Sequence, residues 1–383
     1  MPALLHASPR VKERSGMRVA IVGAGYFSQF HLAGWRAIEG VELVGIADAD
    51  ARRAAQAATR HGIAAPFDDV ARMLDSVRPD LVDLITPPPS HRALVEQTVA
   101  RGIATICQKP FGTSLEQAGE IATLAQDAGV TLVVHENFRF QPWYREARRM
   151  IDAGLIGTLH AVAFRLRPGD GQGQDAYLDR QPYFQTMPRL LILETGVHWI
   201  DTFRYLMTNA MGDVAAVYAH LRRLNPTIAG EDAGIVVFEF QGGATGLFDG
   251  NRLNDHVAGN PRRTMGEMWL EGSAGVLRLD GDARLWWKPH QGAEREHVYE
   301  RGPAEGFGGG ACEALQAHVV AHLRDGAPLE NAAHDYLRNL EIQEAIYASA
   351  RDGRRVALRM PAGTWADSNP APATEPGRGR KLP

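Results

Sequence analysis

The sequence is short of the features that would take it away from ordinary soluble enzymes. Its 383 residues contain only two cysteines, Cys107 and Cys312. A disulfide framework is therefore excluded, and no Cys/His spacing of the metal-binding kind occurs, so no metal is expected. No apolar run is long enough to span a bilayer, which leaves a membrane out of the expected partners. An excess of one charge is missing too: 41 Lys and Arg against 45 Asp and Glu give a formal net charge of −4. That balance offers no electrostatic footprint for nucleic acid. There are no internal repeats. The first sixteen residues include Lys12, Glu13 and Arg14 and no apolar core segment, unlike a signal peptide, so the cytoplasm is the expected compartment. Met17 stands directly before the first strand and is an alternative start.

What is present is ordinary in amount and specific in arrangement. The chain is 45% hydrophobic and 22% charged, and its length fits two domains. It is organised around residues 17–28, where the apolar run Val19-Ala20-Ile21-Val22 leads into Gly23-Ala24-Gly25 and then into a helix-like stretch from Phe27 to Ala37. Gly23 lets the turn close. Gly25 has no Cβ, so the backbone and the amides that open the helix can approach a pyrophosphate. Ser28 takes the place of the third glycine of the dinucleotide fingerprint. A second apolar run, Val41 to Ala47, ends on Asp48, which lies 23 positions after Gly25. The acid that meets the adenosine ribose is expected about 20 residues on. An ordinary strand, turn and helix would share each feature separately, but not the set.

From here strands and helices alternate: helix 50–61, a short helix 68–76, strand 81–85, helix 91–101, strand 103–107, helix 115–128 and strand 130–135. This alternation predicts a parallel, doubly wound sheet. The elbow Thr86-Pro87-Pro88-Pro89 before His91, and Gln108-Lys109-Pro110, both fall at the C-terminal ends of strands, where such sheets place ligands. Proline after Lys109 fixes the local backbone and favours a functional over a merely solvated lysine.

After Asn137-Phe138-Arg139-Phe140 the character changes. A helix 142–153, an alternating strand 158–166 and a long loop 168–188 that could line or cover a site precede the run Glu194-Thr-Gly-Val-His198-Trp-Ile-Asp201. If that run is helical from about Thr195, Glu194, His198 and Asp201 share one face or its edge. A histidine beside a carboxylate is a natural proton acceptor near neutral pH; a partly buried histidine with a capping acid is the alternative. Five closely spaced strands between 214 and 280 and another at 284–288 predict an antiparallel sheet, followed by helices 311–324 and 335–351 and a last strand 356–358. The tail from Pro361 is expected to be disordered.

Taken together, Gly23-Ala24-Gly25, Asp48, Thr86-Pro87-Pro88 with His91, Lys109-Pro110, Asn137 with Arg139-Phe140, and Gly196-Val197-His198 with Asp201 resemble the glucose–fructose oxidoreductase / inositol dehydrogenase (Gfo/Idh/MocA) family over about residues 17 to 359. The resemblance implies an α/β Rossmann domain with a parallel sheet, then an α+β domain with a largely antiparallel, open-faced sheet that often builds a homo-oligomer, here a dimer or tetramer. It divides the chain into an N-terminal extension 1–16, an NAD-binding domain 17–137, a substrate and oligomerisation domain 138–360 and a tail 361–383. It implies an NAD(P)-dependent oxidoreductase acting on the hydroxyl of a small sugar or polyol. NAD is expected rather than NADP because the charge of Asp48 repels a 2′-phosphate, although Arg52 and Arg53 leave NADP open. Lys109 and His198 match the family's substrate-polarising lysine and general base, and Glu194 stands where many members have Asp, which makes these three the expected catalytic residues. Gly23, Gly25, Tyr26, Phe27, Asp48, Thr86, Pro87, His91, Gln108 and Lys109 are expected at the cofactor. Gln108, where the family usually has Glu, is expected on the nicotinamide ribose without charge. Lys109, Arg139, Glu194, His198, Asn251 and Arg252 are expected at the substrate. Residues 187–190, 223–232 and 249–255 resemble the branch that includes D-apiose dehydrogenase. Two alternatives stay open: an NAD-dependent glycoside hydrolase of the same family, and a non-catalytic NAD-binding regulator.

Overall fold

The computed structural model describes residues 16–305 and 307–359. Most of the N-terminal extension and the tail from Pro361 lie outside these residues.

The first unit is a six-stranded parallel sheet of β1 (Met17–Val22), β2 (Val41–Ala47), β3 (Pro66–Phe67), β4 (Leu81–Leu84), β5 (Ala104–Gln108) and β6 (Leu132–His135). Their order is β3-β2-β1-β4-β5-β6. Helices α1 (Ser28–Ala37), α2 (Ala51–His61), α3 (Val70–Val77), α4 (His91–Val99) and α5 (Leu115–Asp127) connect them. Local chemistry sets several starts. Asp50 accepts from Arg52 N, Asp69 from Arg72 N and Ser114 from Gln117 N, each capping a helix whose first amides would otherwise lack partners. Asp69 in that role moves the start of α3 to Val70, two residues later than the sequence pattern suggests. The strand order reverses between β1 and β4. That switch point opens a crevice at the strands' C-terminal ends, where Gly23, Thr86, Lys109 and Glu136 all emerge.

The second unit begins with α6 (Pro142–Asp152) and β7 (Leu159–Leu166). A six-residue π-helical turn, Leu191–Gly196, leads into α7 (Val197–Met211). Strands β8 (Val214–Arg222), β9 (Ala233–Phe240), β10 (Thr245–Asn251), β11 (Gly266–Gly272), β12 (Gly275–Leu279), β13 (Leu285–Pro289) and β14 (Arg295–His297) follow. Then come α8 (Ala311–Asp325), α9 (Ala333–Asp352) and β15 (Val356–Ala357). The sheet runs β14-β13-β12-β11-β7-β10-β9-β8-β15 and is antiparallel except where β10 lies parallel to β7. One face packs on α7 through a core in which Trp199 stacks between Phe164 and Phe248. Each such fully buried ring contributes about 1.5–3 kcal/mol of apolar burial. The other face is open. Along one register line it carries Tyr218, Val237, Leu247, Ala163, Trp269, Arg278 and Trp286.

Two late helices return to the first unit. Leu315, Val319 and Val320 of α8 join the core of Met17, Val19 and Trp35, while Tyr336 and Leu340 of α9 join that of Ala118 and Ile121. The crevice is thereby walled by both units.

Candidate active site

The turn after β1 is built for a close ligand. Gly23 has φ +102°, and a Cβ there would stand 2.7 Å from the Ile85 carbonyl oxygen. Nothing lies within 4 Å of the place a Cβ of Gly25 would take, so the space over this glycine is open at the start of α1. The Ser28 hydroxyl turns back to donate to the Gly25 carbonyl at 2.7 Å, so this serine packs where a third glycine would sit. Asp48 Oδ2 accepts from Ala24 N at 2.8 Å and Oδ1 from Asp50 N, which holds its carboxylate at the mouth of the turn. These features fit a dinucleotide: an open glycine backbone for the pyrophosphate, helix amides and an acid beside them. Tyr26 is partly exposed next to the turn, whereas Phe27 packs on Phe30, His31 and Phe307. Thr86 and the exposed Pro87 edge the crevice from the end of β4.

Four expected cofactor or substrate residues are committed elsewhere. His91 is 0% exposed; its Nε2 meets the Thr86 carbonyl at 2.7 Å and its Nδ1 faces Gly112 N, so it braces the proline elbow from inside. Gln108 accepts from Lys109 N at 2.7 Å through Oε1, and its Nε2 lies 3.2 Å from His31 Nε2, rather than meeting a ribose. Arg139 makes a two-pronged pair with Asp201, at 2.8 and 2.6 Å, and a weaker one with Glu330, behind the site. Asn251 caps its own turn, accepting from Leu253 N and Asn254 N and donating to Asn254 Oδ1, so it is a turn residue and not a free substrate contact.

Lys109, Glu194, His198 and Arg252 do converge. Lys109 Nζ donates to the Glu194 carboxylate at 2.5 Å and to its carbonyl at 2.8 Å. The other carboxylate oxygen of Glu194 accepts from the Thr195 hydroxyl and stands 3.6 Å from Arg252 Nη1. Burial raises the Glu194 carboxyl, but Lys109 and Arg252 outweigh it and hold the group below its ordinary value. Arg252 is 3% exposed, paired with Asp170 and bonded to Thr195, with the rings of Tyr177 and Phe184 over its guanidinium at 5.0 and 5.5 Å. The 168–188 loop thus covers this corner of the crevice.

His198 is not oriented by Glu194 as the helical spacing suggests. Glu194 sits on the π turn, whose amides are taken by the Glu231 carbonyl and carboxylate and by the Tyr347 hydroxyl. The wider turn breaks the i, i+4 alignment with α7. Asp201 is engaged by Arg139 and Asn339. The carboxylate that holds His198 is Glu136, whose Oε1 lies 2.6 Å from Nδ1, while the Phe138 ring stacks on the imidazole at 3.8 Å. Sequence reading missed Glu136, although it directly follows a parallel strand, at the end where such sheets build sites. Burial, then the charge of Lys109, depresses His198 well below the ordinary histidine value, so it is a neutral acceptor at pH 7. Among the described residues Nε2 has no hydrogen-bond partner.

His31, His135 and Cys312 bring three potential metal ligands together from α1, β6 and α8. The two imidazoles stack at 3.9 Å and 29°, so their in-plane lone pairs do not converge on one ion, and Asp83 holds His31 Nδ1.

Comparison with known proteins agrees with this architecture. A family model described as "Oxidoreductase family, NAD-binding Rossmann fold" matches residues 17–136, and one described as "GFO/IDH/MocA C-terminal domain" matches residues 144–278. The chain is 35% identical over 349 residues to a D-apiose dehydrogenase of Paraburkholderia graminis, covering 89% of each. It is 29% identical to a D-apiose dehydrogenase of Rhizobium rhizogenes, covering 89% of this chain and 97% of the relative. A solved oxidoreductase from Agrobacterium radiobacter, in complex with NAD+, L-tartaric acid and magnesium, superposes with a TM-score of 0.80 at 29% identity, over 89% of this chain and 98% of that one.

Proposed function

The chain belongs to the Gfo/Idh/MocA family of NAD-binding oxidoreductases, and from that premise we propose that it is an NAD-dependent dehydrogenase oxidising a hydroxyl of a small, neutral sugar or polyol, with D-apiose the first candidate. The observation that carries this reading is the convergence at one site of Lys109, which ends β5 and pairs with Glu194, and the neutral His198 at the start of α7, which feels the charges of both. Gly23, Gly25 and Asp48 would hold the dinucleotide, which when bound supplies the hydride acceptor. The fixed charge of Asp48 at the ribose end disfavours a 2′-phosphate and so favours NAD over NADP.

The chain's own residues do the rest. Lys109 turns from Glu194 to the substrate hydroxyl and stabilises alkoxide character as it develops. His198 Nε2 takes the hydroxyl proton. Glu194 then accepts from a neighbouring hydroxyl of the sugar, and Arg252, already matched by Asp170, donates to another. With both cations matched by carboxylates, the site has no spare positive charge for an acidic substrate. We read residues 17–137 as the cofactor unit and 138–360 as the substrate unit, with α8 and α9 tying the two together. The largely apolar line on the open sheet face, interrupted by Arg278, supports a homo-oligomer, and two buried free thiols suit the cytoplasm.

The test is nicotinamide reduction by the purified protein with aldoses, branched pentoses, inositols and sugar acids, NAD and NADP in parallel. One neutral sugar should reduce NAD, and Lys109→Ala and His198→Ala should each lower the rate by about 10²–10⁴-fold. Reduction by sugar acids alone, or by none of the panel, contradicts the reading.

A further inference from the structure

The π turn in front of α7 is held from outside itself. Turns of this pitch are rare and recur at functional sites. Its first amides have no partner within the turn and must find one elsewhere. Leu191 N donates to the Glu231 carbonyl at 2.9 Å, Ile192 N to Glu231 Oε1 at 3.2 Å and Leu193 N to the Tyr347 hydroxyl at 3.0 Å. The two partners are themselves joined, since the Tyr347 hydroxyl donates to Glu231 Oε1 at 2.7 Å. At the other end, Val197 N reaches back five residues to the Ile192 carbonyl, the step that gives the turn its width.

Local sequence brings both partners into reach. Gly230 precedes Glu231, and a Cβ on it would stand 2.6 Å from the Met187 carbonyl oxygen and 3.0 Å from Leu190 N. A glycine here lets the segment before β9 lie against the entry of the turn, so that Glu231 reaches two successive amides. Tyr347 comes from α9. The Arg189 guanidinium covers its ring at 4.2 Å and pairs with Glu344, three residues earlier on the same helix.

What the turn delivers is Glu194, and Lys109 binds it twice, at the carboxylate and at the backbone carbonyl. A side chain alone can swing to meet a lysine. A carbonyl cannot, so the place of Lys109 depends on the pitch of the turn. We infer that Tyr347 and Glu231 are positioning residues for Lys109: by fixing the π turn they aim both oxygens of Glu194 at the lysine. They act through the backbone of residues 191–194, 37 positions from Glu231 and more than 150 from Tyr347. The consequence for turnover rests on the dehydrogenase reading, whereas the placement of Lys109 is open to measurement without a substrate.

The chain has four lysines, Lys12, Lys109, Lys288 and Lys381, so one can be followed by mass spectrometry after brief acetylation of the native protein. Lys288, exposed on β13, is the internal reference. The Lys109 side chain is 11% exposed and held on Glu194, and should label slowly in the wild type. Tyr347→Phe keeps the ring under Arg189 and removes the hydroxyl. Its Lys109 should label about three- to tenfold faster relative to Lys288. With the sugar that the wild type oxidises, kcat/KM should fall about tenfold or more while the KM for NAD is unchanged. Glu231→Gln keeps an acceptor oxygen for Ile192 N and for Tyr347 and should match the wild type. Glu231→Ala should follow Tyr347→Phe, and carries the test if that variant does not fold. Lys109 as protected in these variants as in the wild type overturns the inference, even where the melting temperature falls, because the two residues then only support the fold. A wild type that oxidises no sugar overturns the dehydrogenase reading instead, and the labelling still decides what places Lys109.

Discussion

Glu136 is a buried and Glu194 a largely covered carboxylate at the site, and their surroundings drive them apart. Glu194 meets two cations and stays ionised, whereas burial lifts Glu136 to about 7 against the Phe138 amide, the charges of Lys109 and Arg139 and the Tyr336 hydroxyl. For Glu136 this has a stability cost. Its folded value lies above the ordinary 4.5, so the folded state binds the extra proton. The stability this gives is complete below pH 4.5 and is lost as pH rises through 7. Above that, the ionised carboxylate costs up to about 3 kcal/mol. Glu136→Gln should therefore melt above the wild type at pH 8, with the gap closing toward pH 5. An equal or lower melting temperature at pH 8 would contradict the buried-carboxyl account. The two glutamates also mark what residue-level reading can do. Lys109 and His198 were legible because each sits at a strand end or helix start with distinctive neighbours. The partner of His198 was not, because Glu136 lies 62 positions away and only the tertiary fold brings it there.

Elements show the same division. Val41–Ala47 and Ala233–Phe240 match their hydrophobic patterns residue for residue, because each is long enough to declare its alternation or apolar run. The strands Pro66–Phe67 and Arg295–His297 do not, since two or three residues carry no period. The π turn at Leu191–Gly196 was invisible for another reason: its wider pitch comes from contacts with Glu231 and Tyr347, distant in sequence. The parallel β7–β10 pair likewise reflects a crossover between strands far apart in the chain and not local hairpin spacing. The second sheet's open face carries a prediction. Leu247 is 39% exposed within the apolar stretch from Tyr218 to Trp269 of that register line. Leu247→Glu should shift the sedimentation coefficient of the native assembly to that of a monomer while leaving the circular dichroism spectrum unchanged. A wild type that already sediments as a monomer would remove the homo-oligomer.

At the scale of the whole molecule, the site exists only because the two units share walls. The first supplies Gly23, Asp48, Lys109 and Glu136 from the ends of its parallel strands. The second supplies Glu194, His198 and Arg252, and α9 returns to bring Tyr336 behind His198. The two-unit architecture was legible from the switch between βα alternation and closely spaced strands. The return of α8 and α9 was not, since an amphipathic helix does not declare which unit it packs on. The assembled site makes one demand that its alternatives do not: the hydrogen on the oxidised carbon must end on the cofactor. The most direct measurement supplies the sugar deuterated at the reacting carbon, with NAD, and follows the label by mass spectrometry. The account predicts deuterium in the reduced nicotinamide, one per sugar oxidised, abolished in His198→Ala. Sugar consumed with no net deuterated cofactor would point to glycoside cleavage, and bound NAD with no transfer to any sugar would point to a regulator; either would contradict it.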